Sequence, residues 1–198
     1  DTAFVSTERL LSEHQIDFDI VNEDALAVDL KAGRGTFETL SGNQYRTVIV
    51  PSAAVISQAA LDRLRTFAEG GGKVLFLGRT PGLISGRTIL DARAATAADF
   101  AWAIDETSAQ LPETPTPPAY PPAAAPAPQV VAPAILTAVK AAVGKPDLWL
   151  EAADTSLRSM KRKLKDSDVY LFFNEGAVAT SDSITFHNTG QLVEEWDP

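Results

Sequence analysis

The sequence predicts an open, mostly parallel α/β sheet with helices on both faces, followed by antiparallel β-strands. Three observations lead there. Between Tyr45 and Leu77 a strand, a helix and a second strand follow one another with no hairpin signal between them, which is the pattern of a βαβ unit. The strands of that unit, Val48-Ile49-Val50 and Val74 to Leu77, are apolar without alternation, as parallel strands covered on both faces are. After residue 155 strands succeed one another with only turns between them, and no helix long enough for a crossover intervenes.

The elements follow in order. Phe4, Val5, Leu10 and Leu11 recur near helical spacing in "FVSTERLLSEHQ", so the spacing predicts an amphipathic helix. In "IDFDIV" Ile16, Phe18 and Ile20 alternate with Asp17 and Asp19, which predicts a strand with one buried face. "NEDAL" reads as a turn or short helix capped by Asn22 or Asp24. A short strand, the turn Ser41-Gly42-Asn43 and a strand from Tyr45 to Val50, broken by Pro51, come next. Ser57 caps a helix whose stripe is Leu61, Leu64, Phe67 and Ala68, and Gly70 to Gly72 end it. "ATAADFAWAIDETSA" reads as a further helix, and "ILTAVKAAVG" as another, ended by Gly144 before a strand around Leu148-Trp149-Leu150. Residues 112–133 hold nine prolines in 22 positions, an extended segment of polyproline type, either strapped over the surface or serving as a linker. Its "PTPP" also fits a ligand for a proline-reading module. The expected division is therefore 1–111 as α/β, 112–133 as the proline-rich connection, 134–155 as the last helix and strand of the α/β part, and 156–198 as a β-structure that is only begun.

Composition narrows the function. The chain of 198 residues carries a net charge of −9, which argues against nucleic acid or an anionic membrane as partner, because phosphate binding needs clustered Lys and Arg. It has no cysteine, so disulfides, thiol nucleophiles and Cys-ligated zinc are excluded. No apolar run approaches the ~20 residues of a membrane span. "DTAFVST" opens without an initiating Met and without a signal peptide, and reads as mature or trimmed material.

Candidate chemistry is sparse. The glycines of "AEGGGKV" follow a helix and precede a strand, the reverse of a phosphate-binding loop, so they read as a helix terminator. "GRTPG" falls at the carboxyl end of a parallel strand, where open α/β sheets bind ligands. Ser52, Gly78 and Arg79 are the candidate ligand-binding residues, with Arg79 suited to an anion or a sugar hydroxyl and an ordinary Pro-Gly turn as the plainer reading. Asp17, Asp19, Glu23 and Asp24 suggest a cation site or an acid/base pair, against a solvated strand face. His14 and His187 stand far apart with no His-x-Glu pattern, so no metal site is expected, and no nucleophile elbow of the Gly-x-Ser-x-Gly kind occurs. "MKRKLK" is the one basic run, either a solvated turn or a surface for an acidic neighbour.

The order of a helix, "IDFDIVNEDAL", "YRTVIVP", "LDRLRTFAEGGGKVLFLGRTP" and "DVYLFFNEG", ending on Trp196-Asp197-Pro198, resembles large glycoside hydrolases of the α-L-rhamnosidase type. The stretch that resembles them is their glutamine-amidotransferase-like, flavodoxin-like domain and the start of the β-sandwich after it. The resemblance implies an architectural, non-catalytic portion of a carbohydrate-active enzyme. The hydrolytic carboxylates would lie on a separate (β/α) barrel, and no catalytic residue of the family maps onto this sequence. It also implies a first strand ahead of "FVSTERLL", partners in the catalytic barrel and β-sandwich of the same polypeptide and in carbohydrate, no cofactor, and a secreted or periplasmic setting. A free-standing sugar-binding α/β module without catalysis is the alternative reading.

Overall fold

The computed structural model describes residues 2–78, 80–85, 102–103, 133–150, 152, 154–181, 183–187 and 192–196. Helices and strands mix in small sheets, broadly of α/β class. The chain divides into two compact units. The first holds the described residues within 2–8, 19–103 and 133–144, and the second those within 9–18 and 145–196. Helix α1 (Thr2–Glu13) runs through the boundary between them in sequence.

In the first unit, α2 (Glu23–Val28) starts on Asn22, whose side-chain oxygen accepts from the Ala25 N–H. β1 (Lys31–Ala32), β2 (Phe37–Glu38) and β3 (Gln44–Tyr45) form a small antiparallel sheet. β4 (Thr47–Pro51) belongs to another sheet, so the single strand expected from Tyr45 to Val50 is divided. Tyr45 pairs back onto β2, while Thr47 onward pairs parallel with β6 (Lys73–Leu77), Thr47 opposite Lys73 and Pro51 opposite Leu77. β5 (Val55–Ile56) leads into α3 (Gln58–Glu69), capped by Ser57, whose hydroxyl accepts from the Ala60 N–H. The predicted stripe is the buried one: Leu61, Leu64 and Phe67 face a core that includes Phe37, Val74 and Phe76. β4, α3 and β6 are thus the βαβ unit the sequence predicts, with β6 buried from Val74 to Leu77.

The glycines after α3 have two duties. Gly71, at φ 97°, donates to Ala68 O and Gly72 donates to Phe67 O, a Schellman termination. Gly70 and Gly72 also let the chain close on its neighbours. A Cβ on Gly70 would lie 2.5 Å from the Gly35 nitrogen, and one on Gly72 would lie 2.5 Å from the Phe67 ring. β7 (Leu83–Ile84) pairs parallel with β5.

β8 (Trp102–Ala103) corrects a predicted helix. These two residues pair parallel with Leu75 and Phe76 of β6, where the free edge of a buried strand needs backbone partners, and that ladder overrides a helical spacing. The rest of that predicted helix lies outside the described residues, as does the proline-rich stretch up to Pro133, which opens α4 (Pro133–Val143). Gly144, at φ 81°, ends α4 by donating to Lys140 O. Lys73 Nζ and Thr47 Oγ1 donate to the carbonyls of Ala141 and Ala142 in the last turn.

In the second unit, β9 (Leu148–Trp149) pairs antiparallel with β12 (Thr185–Phe186), so it does not continue the parallel sheet. β10 (Leu157–Lys163) and β11 (Asp168–Asn174) form a seven-pair antiparallel hairpin, in register from Leu157 opposite Asn174 to Lys163 opposite Asp168. Asn174 stops β11 because its side chain turns onto the backbone, accepting from Gly176 N–H and donating to Val178 O. Residues 16–21, where alternation predicts a strand and where the chain passes from the second unit to the first, have no ladder partner. Ile16 is buried with Leu11 at the end of α1, Asp19 accepts from the Tyr45 hydroxyl, and Ile20 and Val21 are exposed. Among the described residues no helix is long and apolar enough to cross a membrane.

Candidate functional site

Two places bring polar groups together. The first is at the carboxyl ends of β4 and β6. There Ser52 N donates to Leu77 O at 2.7 Å, carrying the parallel ladder one residue past Pro51. Gly78 turns away at φ 77°, and a Cβ on it would lie 3.3 Å from the Ser52 Cβ. Ser52 and Gly78, chosen from sequence alone, therefore stand side by side, because both follow paired ends of parallel strands. Arg79 lies outside the described residues. The loops continue together, since Gly82 N donates to Ala54 O before β5 and β7 pair. What this place brings together is the Ser52 side chain and the backbone groups of the two loops that follow β4 and β6.

The second place, in the second unit, is built on the end of α1. Glu13, His14 and Gln15 are each about 95% buried (4%, 4% and 5% exposed), unusual for consecutive polar residues. α1 ends as a Schellman motif: Gln15 N donates to Ser12 O and Ile16 N to Leu11 O, with Gln15 at φ 58° where glycine is usual. A left-handed non-glycine costs roughly 1–2 kcal/mol. Against this, the Gln15 amide donates to Ser12 O and to Leu157 O, both at 3.0 Å. Each such bond is worth about 1 kcal/mol net, so the pair offsets the strain. His14 points Nδ1 at Leu150 O, 3.3 Å away, and stacks on Trp149 at 5.4 Å and 14°. A carbonyl only accepts, which assigns the proton to Nδ1. Glu13 is held by Arg9, one helical turn back. A small cleft of ≈ 100 Å³ lies between Ser12 and Gln15–Phe18 on one side and Arg158–Ser159 on the other.

Downstream, Asp154 organises the entry to β10. One carboxylate oxygen accepts from the Ser156 N–H and hydroxyl, both at 2.7 Å, and from the Leu157 N–H, while the other accepts from Thr180 Oγ1. Lys161 gathers two carboxylates, Asp147 at 2.6 Å and Asp168 at 3.2 Å, with its ammonium 5.5 Å from the Tyr170 ring centre. Burial works against its charge, but the hydrogen bonds to Asp147 and Asp168 outweigh burial and hold the ammonium well above the usual lysine range. The ammonium sits between the two carboxylates.

Of the predicted acidic cluster, Asp17 lines the cleft, Asp19 accepts from Tyr45, and Glu23 accepts from the Ser57 N–H at the start of α3. Among the described residues no group of three or more His, Asp or Glu is placed to hold a metal ion. His187 is exposed and continues the β9–β12 ladder by donating its N–H to Asp147 O. Sequence reasoning missed Gln15 and Asp154, and it singled out Lys161 only within the basic run "MKRKLK", most of which is strand β10 rather than a turn. A polar residue at the position where a helix-ending glycine belongs was the available signal for Gln15. Nothing local announced Asp154, and the basic run did not say which carboxylates Lys161 would meet.

Compared with known families, residues 2–198 match the alpha-L-rhamnosidase profile. The chain belongs to the alpha-L-rhamnosidase family. The match spans both units, so this glycoside hydrolase sequence includes the parallel α/β part and the antiparallel part alike. No curated protein and no solved structure matches the chain.

Proposed function

We propose that this alpha-L-rhamnosidase-family chain is an architectural, non-catalytic portion of the enzyme, and that terminal rhamnose is hydrolysed at carboxylates on a separate barrel of the same polypeptide. The observation that carries this is the arrangement at Lys161. Glycoside hydrolysis needs two carboxyl groups with a sugar and, in inverting enzymes, a water between them, about 5–9.5 Å apart. The carboxylates that Lys161 gathers, Asp147 and Asp168, have an ammonium in that space. Glu13, His14 and Gln15 likewise engage Arg9 and backbone carbonyls of this chain.

In this reading the parallel part of the chain, which the sequence bounds at residues 1–111 and 134–155, is an amidotransferase-like, flavodoxin-like open sheet that ends with α4 rather than with β9, which pairs with β12 instead, and the proline-rich 112–133 joins its pieces. Residues 156–198 open a β-sandwich. The partners are the barrel and the rest of the sandwich, in a secreted or periplasmic enzyme. The antiparallel hairpin beginning at Leu157 supports the last boundary, and the parallel β4–β6–β8 sheet supports the first part.

The test is an assay on an aryl α-L-rhamnoside with the 198-residue chain beside the whole gene product. The chain alone is expected to show no turnover while the whole product hydrolyses the substrate. Turnover by the chain, abolished in Asp147→Asn or Asp168→Asn, would overturn the reading. A second reading, sugar binding at Ser52 and Gly78, is favoured by their adjacency at the strand ends. It predicts a saturable shift of the Ser52 and Gly78 amide resonances on titration with L-rhamnose, lost in Gly78→Val.

A further inference from the structure

The ≈ 100 Å³ cleft of the second unit is walled by the end of α1 and the start of β10. Two side chains that line it, Ser12 and Ser159, have hydroxyls that make no hydrogen bond among the described residues. A hydroxyl both donates and accepts, so each can meet a ligand hydroxyl in either sense. Phe18, half-buried, adds an aromatic ring, and Asp17, exposed, adds a carboxylate that only accepts. The wall between them is already fixed. The Gln15 amide is bonded to the carbonyls of Ser12 and Leu157, and Ile16 is buried, so little side-chain freedom is lost when a ligand enters.

Charge and size decide what fits. Arg158, the one cation of the lining, is engaged by Glu175 at 3.1 Å and donates to the carbonyls of Thr155 and Leu157 at 3.2 and 3.0 Å. With Glu175 neutralising it and Asp17 on the opposite wall, an anion meets no net attraction. Among the described residues no group of three or more acids or histidines is placed for a metal ion. A neutral ligand rich in hydroxyls remains. The volume is the share of about three waters, well below the roughly 300 Å³ at which pockets for larger molecules begin. It suits one sugar residue entering edge-on, with the rest of a glycan outside. We infer that this cleft is a non-catalytic subsite for one neutral sugar residue. Ser12 and Ser159 exchange hydrogen bonds with its hydroxyls, Asp17 accepts from another, and the Phe18 ring takes its C–H face. The inference rests on the architectural reading above and adds a binding task to it, in the second unit and apart from the Ser52–Gly78 strand ends of the first.

The experiment photolabels the whole gene product with an L-rhamnoside that carries an aryl diazirine, and maps the labelled peptides. The expected label falls on residues 12–18 or 157–160, beside whatever the catalytic barrel takes up, and is competed by excess L-rhamnose but not by sulfate. Ser159→Phe, which fills the cleft, should abolish that label while label elsewhere on the product persists. Asp17 is exposed, so Asp17→Asn leaves the fold intact, and it should lower the same label about tenfold. No label on either segment, competition by sulfate in place of L-rhamnose, or label unchanged in both variants would each overturn the inference. Turnover by the isolated chain would sink the architectural reading without altering the label map, so the two failures are distinguishable.

Discussion

The side-chain amide of Gln15 donates to the carbonyl of Leu157, 142 residues away, at 3.0 Å, while its own backbone holds the left-handed conformation that ends α1. One residue thereby terminates a helix and fixes the first residue of the β10–β11 hairpin. The Asp154 N–H, donating to Glu13 O at 3.0 Å, ties the same two segments a second time. The second unit is assembled from parts far apart in sequence, and these polar contacts, sealed by Leu11, Ile16, Leu148 and Leu157, set their register.

Replacing Gln15 separates strain from bonding. Gln15→Gly relieves the positive φ but deprives the Ser12 and Leu157 carbonyls of a donor; Gln15→Ala loses the same donor and keeps the strain. The expected losses in urea unfolding are about 1 kcal/mol for Gly and about 2–3 kcal/mol for Ala. Alanine proving no worse than glycine would mean the left-handed backbone carries no cost here.

Two glycines with similar backbones should respond very differently. Gly35 is at φ 61° and Gly42 at φ 88°. A Cβ on Gly35 would lie 2.5 Å from the Gly72 nitrogen and 2.7 Å from the Gly70 carbonyl oxygen, whereas one on Gly42 meets nothing within 4 Å. Gly42→Ala should cost only the backbone term, roughly 1 kcal/mol, and Gly35→Ala well above ~3 kcal/mol, because backbone has to move. Equal melting temperatures for the two variants would refute the close approach.

The same comparison shows what was legible. The α3 stripe, its Ser57 cap and the glycine stop were readable because each is a local rule acting within one helix. That Gly70 also admits Arg34–Gly35 was not readable, since that close approach depends on a partner elsewhere in the chain. Ser52 and Gly78 could be chosen because a βαβ unit places its strand ends together. The Asp147–Lys161–Asp168 grouping could not, because it requires both the hairpin register and the antiparallel pairing of β9, which looked like one more parallel strand. The alternation from Ile16 to Ile20 misled for a related reason: Ile16 satisfies its burial by closing α1, and no ladder is needed.

Phe37 anchors the small antiparallel sheet to α3. Its ring stacks on Phe67 at 4.4 Å with a 4° tilt, Arg63 lies 5.5 Å above it, and Arg63 in turn donates to the carbonyls of Leu26 within α2 and Leu30 just beyond it. Phe37→Ala should cost about 3–5 kcal/mol, and Phe37→Leu less than half of that. Chemical denaturation reads both. A Leu variant as damaging as Ala would assign the role to the aromatic stack rather than to filled volume.

Lys161 gives a prediction in pH. Its pKa is raised above the usual lysine value of 10.5, so it is more readily protonated in the folded chain than in the unfolded one. The stabilisation it contributes is therefore complete below that usual value and declines only as pH rises through the raised folded value. Lys161→Met removes the charged bonds to Asp147 and Asp168. Because the Asp147 side chain is 59% exposed, solvent screens part of the gain, and the expected loss is about 1–2 kcal/mol. That loss should be the same at about pH 6 and pH 9 as far as Lys161 titration is concerned, and should shrink only on the strongly alkaline side. Urea unfolding of both proteins across that range checks it. A difference that already fades between about pH 7 and pH 9 would mean that burial, not the two carboxylates, governs this ammonium.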